Sequence, residues 1–250
     1  SMSDGVISND YSETEDIIDS LYEQSIIDKY AGEPQRKSIH VSDLTSECMR
    51  KAWYRLNDHA IDLRDFKKSL PLVHGTALHE VCNLGGVEHE LSMFCNIKEM
   101  REAKHTERIH KDDGLLWRDL DDNIYDCVKG SMDDLVEIDD ELIICDKKTT
   151  KKSIPRQVPD NYKAQMNIYK LLYFITTGVE IERACIIYID KSSAWERHKT
   201  RCFDLLPIEE IRKYVLDKLQ VINTTTPPDK VVTFLCPWCS YYTECNPNGY

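Results

Sequence analysis

The sequence predicts an α/β protein, a mixed β-sheet flanked by helices with a short appendage at each end. Three observations carry that expectation. From residue 128 the apolar residues of CVKGSMDDLVEIDDELIICDKKTT recur with period two, in two strands joined at Asp139-Asp140, which predicts an antiparallel hairpin. The segment that follows, DNYKAQMNIYKLLYFITTG, has helical spacing and is bounded by Pro159 and Gly178. ERACIIYIDKS is then a nearly continuous apolar run of strand length, as expected of a strand covered on both faces. Hairpin, helix and buried strand in that order build a mixed sheet against helices.

In chain order, EDIIDSLYEQSIIDKY reads as an amphipathic helix with Ile17, Leu21 and Ile27 near one side. Ser42 is expected to cap a helix over VSDLTSECMRKAWYRLN, in which Leu44, Cys48 and Lys51 or Ala52 occupy neighbouring turns, so that Cys48 is held on a helix. LVHGTALHEVCNLG predicts a third helix, weakened at its ends by Gly75 and Gly85–Gly86. Residues 87–125 mix helical and extended signals and carry no assigned boundary. After ERACIIYIDKS, WERHKTRCFDLLP reads as a more exposed strand, and Pro207 opens a helix over PIEEIRKYVLDKLQVIN. TTTPPDK leads into FLCPWCSYYTECNP. The expected organisation is an acidic arm and helix at 1–38, one α/β domain at 39–223, and a cysteine cluster at 224–250 packed against the 42–57 helix.

The formal net charge of −12 argues at first against a nucleic-acid partner. Its distribution changes that reading. Residues 1–33 hold nine acids against one Lys and residues 112–146 hold thirteen against two bases, so the remainder of the chain is net positive by seven. RDFKK at 64–68, KEMREAKHTERIHK at 98–111 and KKTTKK at 147–152 are the candidate basic surfaces. The sequence has no run of roughly 18 apolar residues and no basic flank leading into an apolar stretch at its start. No membrane partner and a cytoplasmic location are therefore expected, and there ten cysteines serve better as thiolate ligands or buried small hydrophobes than as disulfides.

A two-residue loop at Asp139-Asp140 makes cross-strand partners sum to 279, which sets Asp133 opposite Asp146. Lys148 shares the face of Asp146 because side chains alternate with period two. Directly opposed Cβ atoms lie about 4.5–5.5 Å apart. Two carboxylates at that separation repel, and the arrangement calls for a divalent ion with oxygen bonds of ~2.1 Å, with Lys148 beside it to orient water or steady negative charge. The alternative is a solvent-facing acidic hairpin, and a loop of three or five residues would slip the register by one.

GSMDDLVE followed by ICDKKTT resembles the active-site hairpin of the PD-(D/E)xK nucleases. GTALHEV is similar to the helix that supplies a histidine ligand in their RecB-like branch, and YKAQMNIYKLL to its Q-x-x-x-Y helix. With Cys48 and the C-x2-C-x5-C tail, the whole pattern, over about residues 40–246, resembles RecB-like nucleases carrying an iron–sulfur cluster, closest to the CRISPR-associated adaptation nucleases. The resemblance implies a restriction-endonuclease-like nuclease domain at 39–223. It implies His79, Asp133 and Asp146 as ligands of Mg²⁺ or Mn²⁺, with help from the Lys147 carbonyl. Lys148 would serve the nucleophilic water, and Gln165 and Tyr169, four apart on one helix face, would orient DNA or the lysine. Asp146 stands where many members carry Glu.

The implied activity is metal-dependent hydrolysis of phosphodiester bonds in DNA, exonucleolytic, on single-stranded DNA or single-stranded ends, in CRISPR spacer acquisition alongside integrase proteins. A ring or dimer stays open. For the tail, four thiolates from Cys48, Cys236, Cys239 and Cys245 suit Zn²⁺ and a [4Fe–4S] cluster equally well by geometry; the resemblance favours [4Fe–4S] in a structural role, with structural zinc as the alternative. Two rivals remain: a non-catalytic DNA-binding subunit of an adaptation complex, and a general repair or recombination nuclease. Neither HExxH nor GxxxxGK[ST] occurs, which argues against a zincin protease and against an NTP-driven motor in this chain.

Overall fold

The structure is a computed structural model that describes residues 12–31, 38–59, 84–96, 100–101, 127–150, 153–190 and 197–246. Its elements are α1 (Ser12–Ala31), β1 (Ile39–His40), α2 (Val41–Leu44), α3 (Met49–Leu56), β2 (Glu88–Asn96), β3 (Cys127–Ile138), β4 (Glu141–Thr150), α4 (Asp160–Thr177), β5 (Arg183–Asp190), β6 (Arg197–Asp204), α5 (Ile208–Ile222), a 3-10 turn at Cys236–Trp238 and α6 (Tyr242–Cys245). The expected helix over LVHGTALHEVCNLG lies outside the described residues except at its last residues. The basic stretch 64–68 and all but two residues of 98–111 lie outside them as well.

The strands form one mixed sheet, in the order β1-β3-β4-β5-β6 with β2 also paired to β3. The β3–β4 ladder follows the 279 register, from Ile138↔Glu141 to Asp134↔Cys145. Its turn is Asp139-Asp140 with φ of 52° and 64°. Both central residues are left-handed, as a two-residue type I′ hairpin requires, and Asp tolerates that conformation.

Beyond Asp134↔Cys145 the sheet forks. Residues 146–150 of β4 continue in parallel with residues 186–190 of β5, whereas β3 runs back along antiparallel β2 and, at Val128 and Lys129, beside β1. At the fork the β2–β3 register passes from His89↔Asp134 to Leu91↔Met132, skipping Glu90 and Asp133, and Glu90 has φ 51°. The buried apolar positions of β3 switch there from even to odd numbers, from Val128 and Met132 to Leu135.

Helices cover one face of the sheet. α4 packs on β2 and β3, and α5 packs on α4 and α3. Along α5 the buried positions Ile211, Val215, Leu219 and Ile222 form one stripe. α4 is apolar almost all round between sheet and helices, burying Met166, Ile168, Leu171, Leu172 and Ile175, and ends at Gly178 with φ 77°. Its buried Lys170 is held by Glu180 at 3.0 Å and Glu182 at 3.3 Å.

Gly130 lets the sheet approach this layer. A Cβ there would stand 2.6 Å from Val41 Cγ2 and 2.8 Å from the Tyr169 ring. Gly130→Ala is therefore expected to displace Tyr169 and cost about 1–3 kcal/mol, as overpacking of a filled core does. Thermal melting should fall by several degrees, and an unchanged melting temperature would show the ring free to yield.

Three expectations need correction. The helix expected over 42–57 is two helices, α2 and α3, because Ser46 Oγ turns back to accept the Cys48 N–H at 3.3 Å, a local bond that competes with helix continuation. His40 rather than Ser42 is the first N-cap, with its N–H bonded to Asp43 Oδ2 at 2.8 Å, and Cys48 is the N-cap of α3 rather than a residue within a helix. In α1, Ile17 and Leu21 are exposed, as are Ile18 and Tyr22, and it is Ile26 that is buried.

The third concerns cysteines read as buried hydrophobes or ligands. Cys185 and Cys202 are direct partners in β5 and β6, with Cα atoms 4.0 Å apart, and form a disulfide. Closely opposed residues of an antiparallel pair have the reach for it. Alkylation of the denatured, unreduced protein should leave these two unmodified; their full modification would contradict the bridge.

Candidate active site

Because side chains alternate along a strand, the adjacent pairs Asp133-Asp134 and Lys147-Lys148 serve opposite faces of the sheet. Away from α4, Asp134 binds Lys147 Nζ at 2.7 Å and His89 Nδ1 at 2.9 Å and accepts the Leu84 N–H at 3.3 Å. Lys147 is only 1% exposed, so the KKTTKK stretch is not the uniformly solvated basic surface that its composition suggests. A buried ion pair of this kind is costly to break, because the partner left behind is an uncompensated charge. It clamps the backbone of β4 at the fork.

On the α4 side, Asp146 is 1% exposed and its carboxylate meets Lys148 Nζ at 3.0 Å through Oδ1 and 2.7 Å through Oδ2. Where the ladder would next pair Asp133 with Asp146, the Asp133 carboxylate instead accepts the Lys147 N–H at 2.9 Å. Side chain thus substitutes for backbone at the point where β3 leaves β4. Above the fork, Gln165 Nε2 donates to Tyr169 Oη at 2.9 Å, one turn apart on α4. Burial pushes the Tyr169 hydroxyl pKa well above its usual value, and the charges of Asp146 and Asp133 push the same way. Tyr169 remains a neutral donor at any ordinary pH.

Five of the residues singled out from sequence, Asp133, Asp146, Lys148, Gln165 and Tyr169, therefore gather at one fork. His79 lies outside the described residues. Three further residues belong to the place. The Tyr162 ring lies under Lys148 Nζ, 5.2 Å from ring centroid to nitrogen, a cation–π contact. Tyr162 precedes Gln165 by three residues, so helical spacing would have found it. Tyr188 is the β5 partner of Lys148, and Arg201 in β6 is the partner of Ile186, itself beside Asp146. The parallel β4–β5 register reveals Tyr188, and that register together with the antiparallel β5–β6 one reveals Arg201.

The carboxylate oxygens of Asp133 and Asp146 at the fork are donors of the type that suits a hard divalent ion. In the tail, α3 and the C-terminal segment pack through Trp53, Tyr54 and Tyr241, with Cys239 and Cys245 against them. Trp53 Nε1 donates to Thr224 O at 2.8 Å, and Arg50 Nε to Pro228 O at 2.6 Å. Cys236 Sγ accepts the Thr233 N–H at 3.3 Å, and Cys239 Sγ the Tyr241 N–H at 3.5 Å. Burial raises the Cys239 thiol pKa, and Cys48 and Cys245 are near enough to raise it further. Donor softness and N–H···S bonds suit a thiolate-held metal or cluster. Among the described residues no three His, Cys, Asp or Glu side chains stand together at metal-holding separation, either here or at the fork.

The fold and site define a mixed α/β protein with an acid-and-lysine cluster at a split in its sheet. No family profile matches the chain. A solved structure described as the crystal structure of SSO0001 is similar in fold, with a TM-score of 0.53 and 15% identity over 94% of this chain and 98% of that one. The human ENTH domain-containing protein 1 is 31% identical over 87 residues, 32% of this chain; the chain spans only 14% of that protein's length. Among the described residues no helix is long and apolar enough to cross a membrane.

Proposed function

We propose that the chain is a metal-dependent deoxyribonuclease of the PD-(D/E)xK type, acting as an exonuclease on single-stranded DNA or single-stranded ends, in CRISPR spacer acquisition. The observation that carries the reading is the convergence of Asp133, Asp146 and Lys148 at the fork, beneath the Gln165–Tyr169 pair. The motifs that bear the resemblance come from five separate segments of sequence, and those of the hairpin and of the Gln165–Tyr169 helix meet in space.

In this reading Asp133, Asp146, the Lys147 carbonyl and His79 would hold Mg²⁺ or Mn²⁺. When bound, the ion supplies Lewis acidity toward a phosphoryl oxygen and lowers the pKa of water. The remaining work falls to the chain. Lys148, seated between Asp146 and the Tyr162 ring, presents fixed positive charge where the phosphorus centre gains negative charge. Asp134 and Lys147, bonded behind the sheet, hold the backbone from which Asp146 and Lys148 project. Gln165 fixes the Tyr169 oxygen as an acceptor, so the hydroxyl proton is left to donate toward substrate or carboxylate. Water adds across the P–O bond, with one proton passing to the leaving oxygen. The four cysteines would hold a [4Fe–4S] cluster, or zinc, that fastens α3 to the C-terminal segment.

The test is cleavage of end-labelled single- and double-stranded DNA with Mg²⁺, Mn²⁺ or EDTA, comparing wild type with Asp146→Asn. Metal-dependent shortening from an end by wild type alone supports the reading. Tight DNA binding without cleavage under any metal would replace it with that of a non-catalytic subunit.

A further inference from the structure

Tyr188 is 2% exposed, and its hydroxyl is buried with no hydrogen-bond partner among the described residues. An orphaned hydroxyl in a protein interior costs free energy, so its retention calls for an explanation. Charges of both signs surround Tyr188, and the Asp146 carboxylate, itself held by Lys148 at 2.7 Å, is near enough to disfavour its ionisation. Lys148 is its partner on β4 and Lys199 its partner on β6, so all three side chains share one face of the sheet. Its ring lies 6.5 Å from that of Tyr162, which carries the Lys148 ammonium. Arg201 lies on the same face, close enough to favour ionisation of Tyr188, and is anchored by its Nε to Pro155 O at 3.3 Å. Burial nevertheless pushes the Tyr188 pKa up to about 12, so the group is a neutral donor at working pH.

Asp146 is taken up by Lys148, so the Tyr188 hydroxyl is a donor still without an acceptor, and with Arg201 on the same face it matches a further anionic oxygen. We infer that Tyr188 Oη donates a hydrogen bond to a non-bridging phosphate oxygen of the nucleic-acid strand, in a subsite shared with Lys148 and Arg201. The inference rests on the reading of the fork as a phosphodiester site and extends it toward β6, giving the strand a path across the β4, β5 and β6 edge of the sheet. The Tyr188 hydroxyl is a binding and positioning group in this scheme, and the attacking water is handled at the fork.

Tyr188→Phe removes the hydroxyl and keeps the ring. Binding of a short fluorescent single-stranded oligodeoxynucleotide, followed by anisotropy in EDTA so that no cleavage intervenes, should weaken about tenfold, the usual loss for one hydrogen bond to a charged acceptor. The melting temperature of the free protein should stay level or rise, because the variant no longer buries an unpaired hydroxyl. Arg201→Gln should weaken binding in the same assay and flatten its salt dependence. Unchanged affinity in Tyr188→Phe overturns the inference, and a lowered melting temperature with unchanged affinity identifies the hydroxyl as structural, satisfied by a buried water. The binding measurement stands apart from catalysis: a wild type that binds the oligonucleotide through Tyr188 but never cleaves it would defeat the nuclease reading and leave this subsite in place.

Discussion

Asp146→Asn is expected to lower metal-dependent DNA cleavage by about 10³-fold or more while leaving the protein folded. The substitution keeps the shape of a buried side chain and removes its charge. It removes the counter-ion of Lys148 and, in the proposed reading, a hard ligand as well, where preorganised charge would contribute most to phosphoryl chemistry. Stability should also fall. Truncating one member of a buried pair costs about 3–5 kcal/mol, but Lys148 is one-fifth exposed and can turn toward water, so about 1–3 kcal/mol is the better expectation. Magnitudes separate the two effects. A domain with about 5–15 kcal/mol of stability remains overwhelmingly folded after such a loss. Unfolding therefore cannot account for a thousandfold drop in rate. Cleavage of end-labelled DNA in Mn²⁺, run beside circular-dichroism melting, checks both halves. Equal metal-dependent cleavage by wild type and variant would remove Asp146 from the site.

The second large effect is expected at the tail. Cys239→Ala should abolish bound metal and the broad absorption near ~400 nm of thiolate-ligated iron. It should also lower the melting temperature by about 10 °C, the counterpart of roughly 3–5 kcal/mol in a chain of this size. The reason is topological as much as local. A ligand set joining Cys48 to residues 236–245 would close a loop of most of the chain and would fasten α3 to a segment also held by the Trp53–Thr224 and Arg50–Pro228 bonds, the His59–Glu244 contact at 3.0 Å and the Tyr54–Tyr241 rings, whose centroids are 5.7 Å apart. Cleavage should decline with temperature in step with that unfolding, since no cysteine of the set lies at the fork. Metal analysis of the purified variant decides the matter, and unchanged iron or zinc content would exclude Cys239 as a ligand.

What the sequence made legible was local. The two-residue turn at Asp139-Asp140 and the alternation around it fixed the hairpin register, because a period of two leaves one arrangement that buries Leu135 and Ile144 together. Pro159 and Gly178 bracket α4, and Pro207 opens α5, for reasons contained in a few residues each. Pairings set by tertiary packing were not legible. The fork depends on β3 leaving β4 after Asp134↔Cys145 while β4 stays paired with β5 through Thr150, and no property of ICDKKTT announces it. The disulfide depends on the β5–β6 register across a six-residue connection, a length that permits several registers. Asp134–Lys147 could have been found, because the register that opposes Asp133 to Asp146 also places this pair diagonally on the other face. In α1 the helical period was readable, but what its apolar side meets was not, and Ile17 and Leu21 are exposed.

The central claim is that Asp133 and Asp146 share one divalent ion where the sheet divides. Anomalous diffraction from crystals grown with Mn²⁺ tests it most directly. The account predicts a peak bounded by both carboxylates at about 2.0–2.2 Å from an oxygen of each, the distance of hard octahedral ions, and its disappearance in Asp146→Asn. Manganese bound elsewhere in crystals of protein that cleaves DNA, with the fork empty, would contradict it.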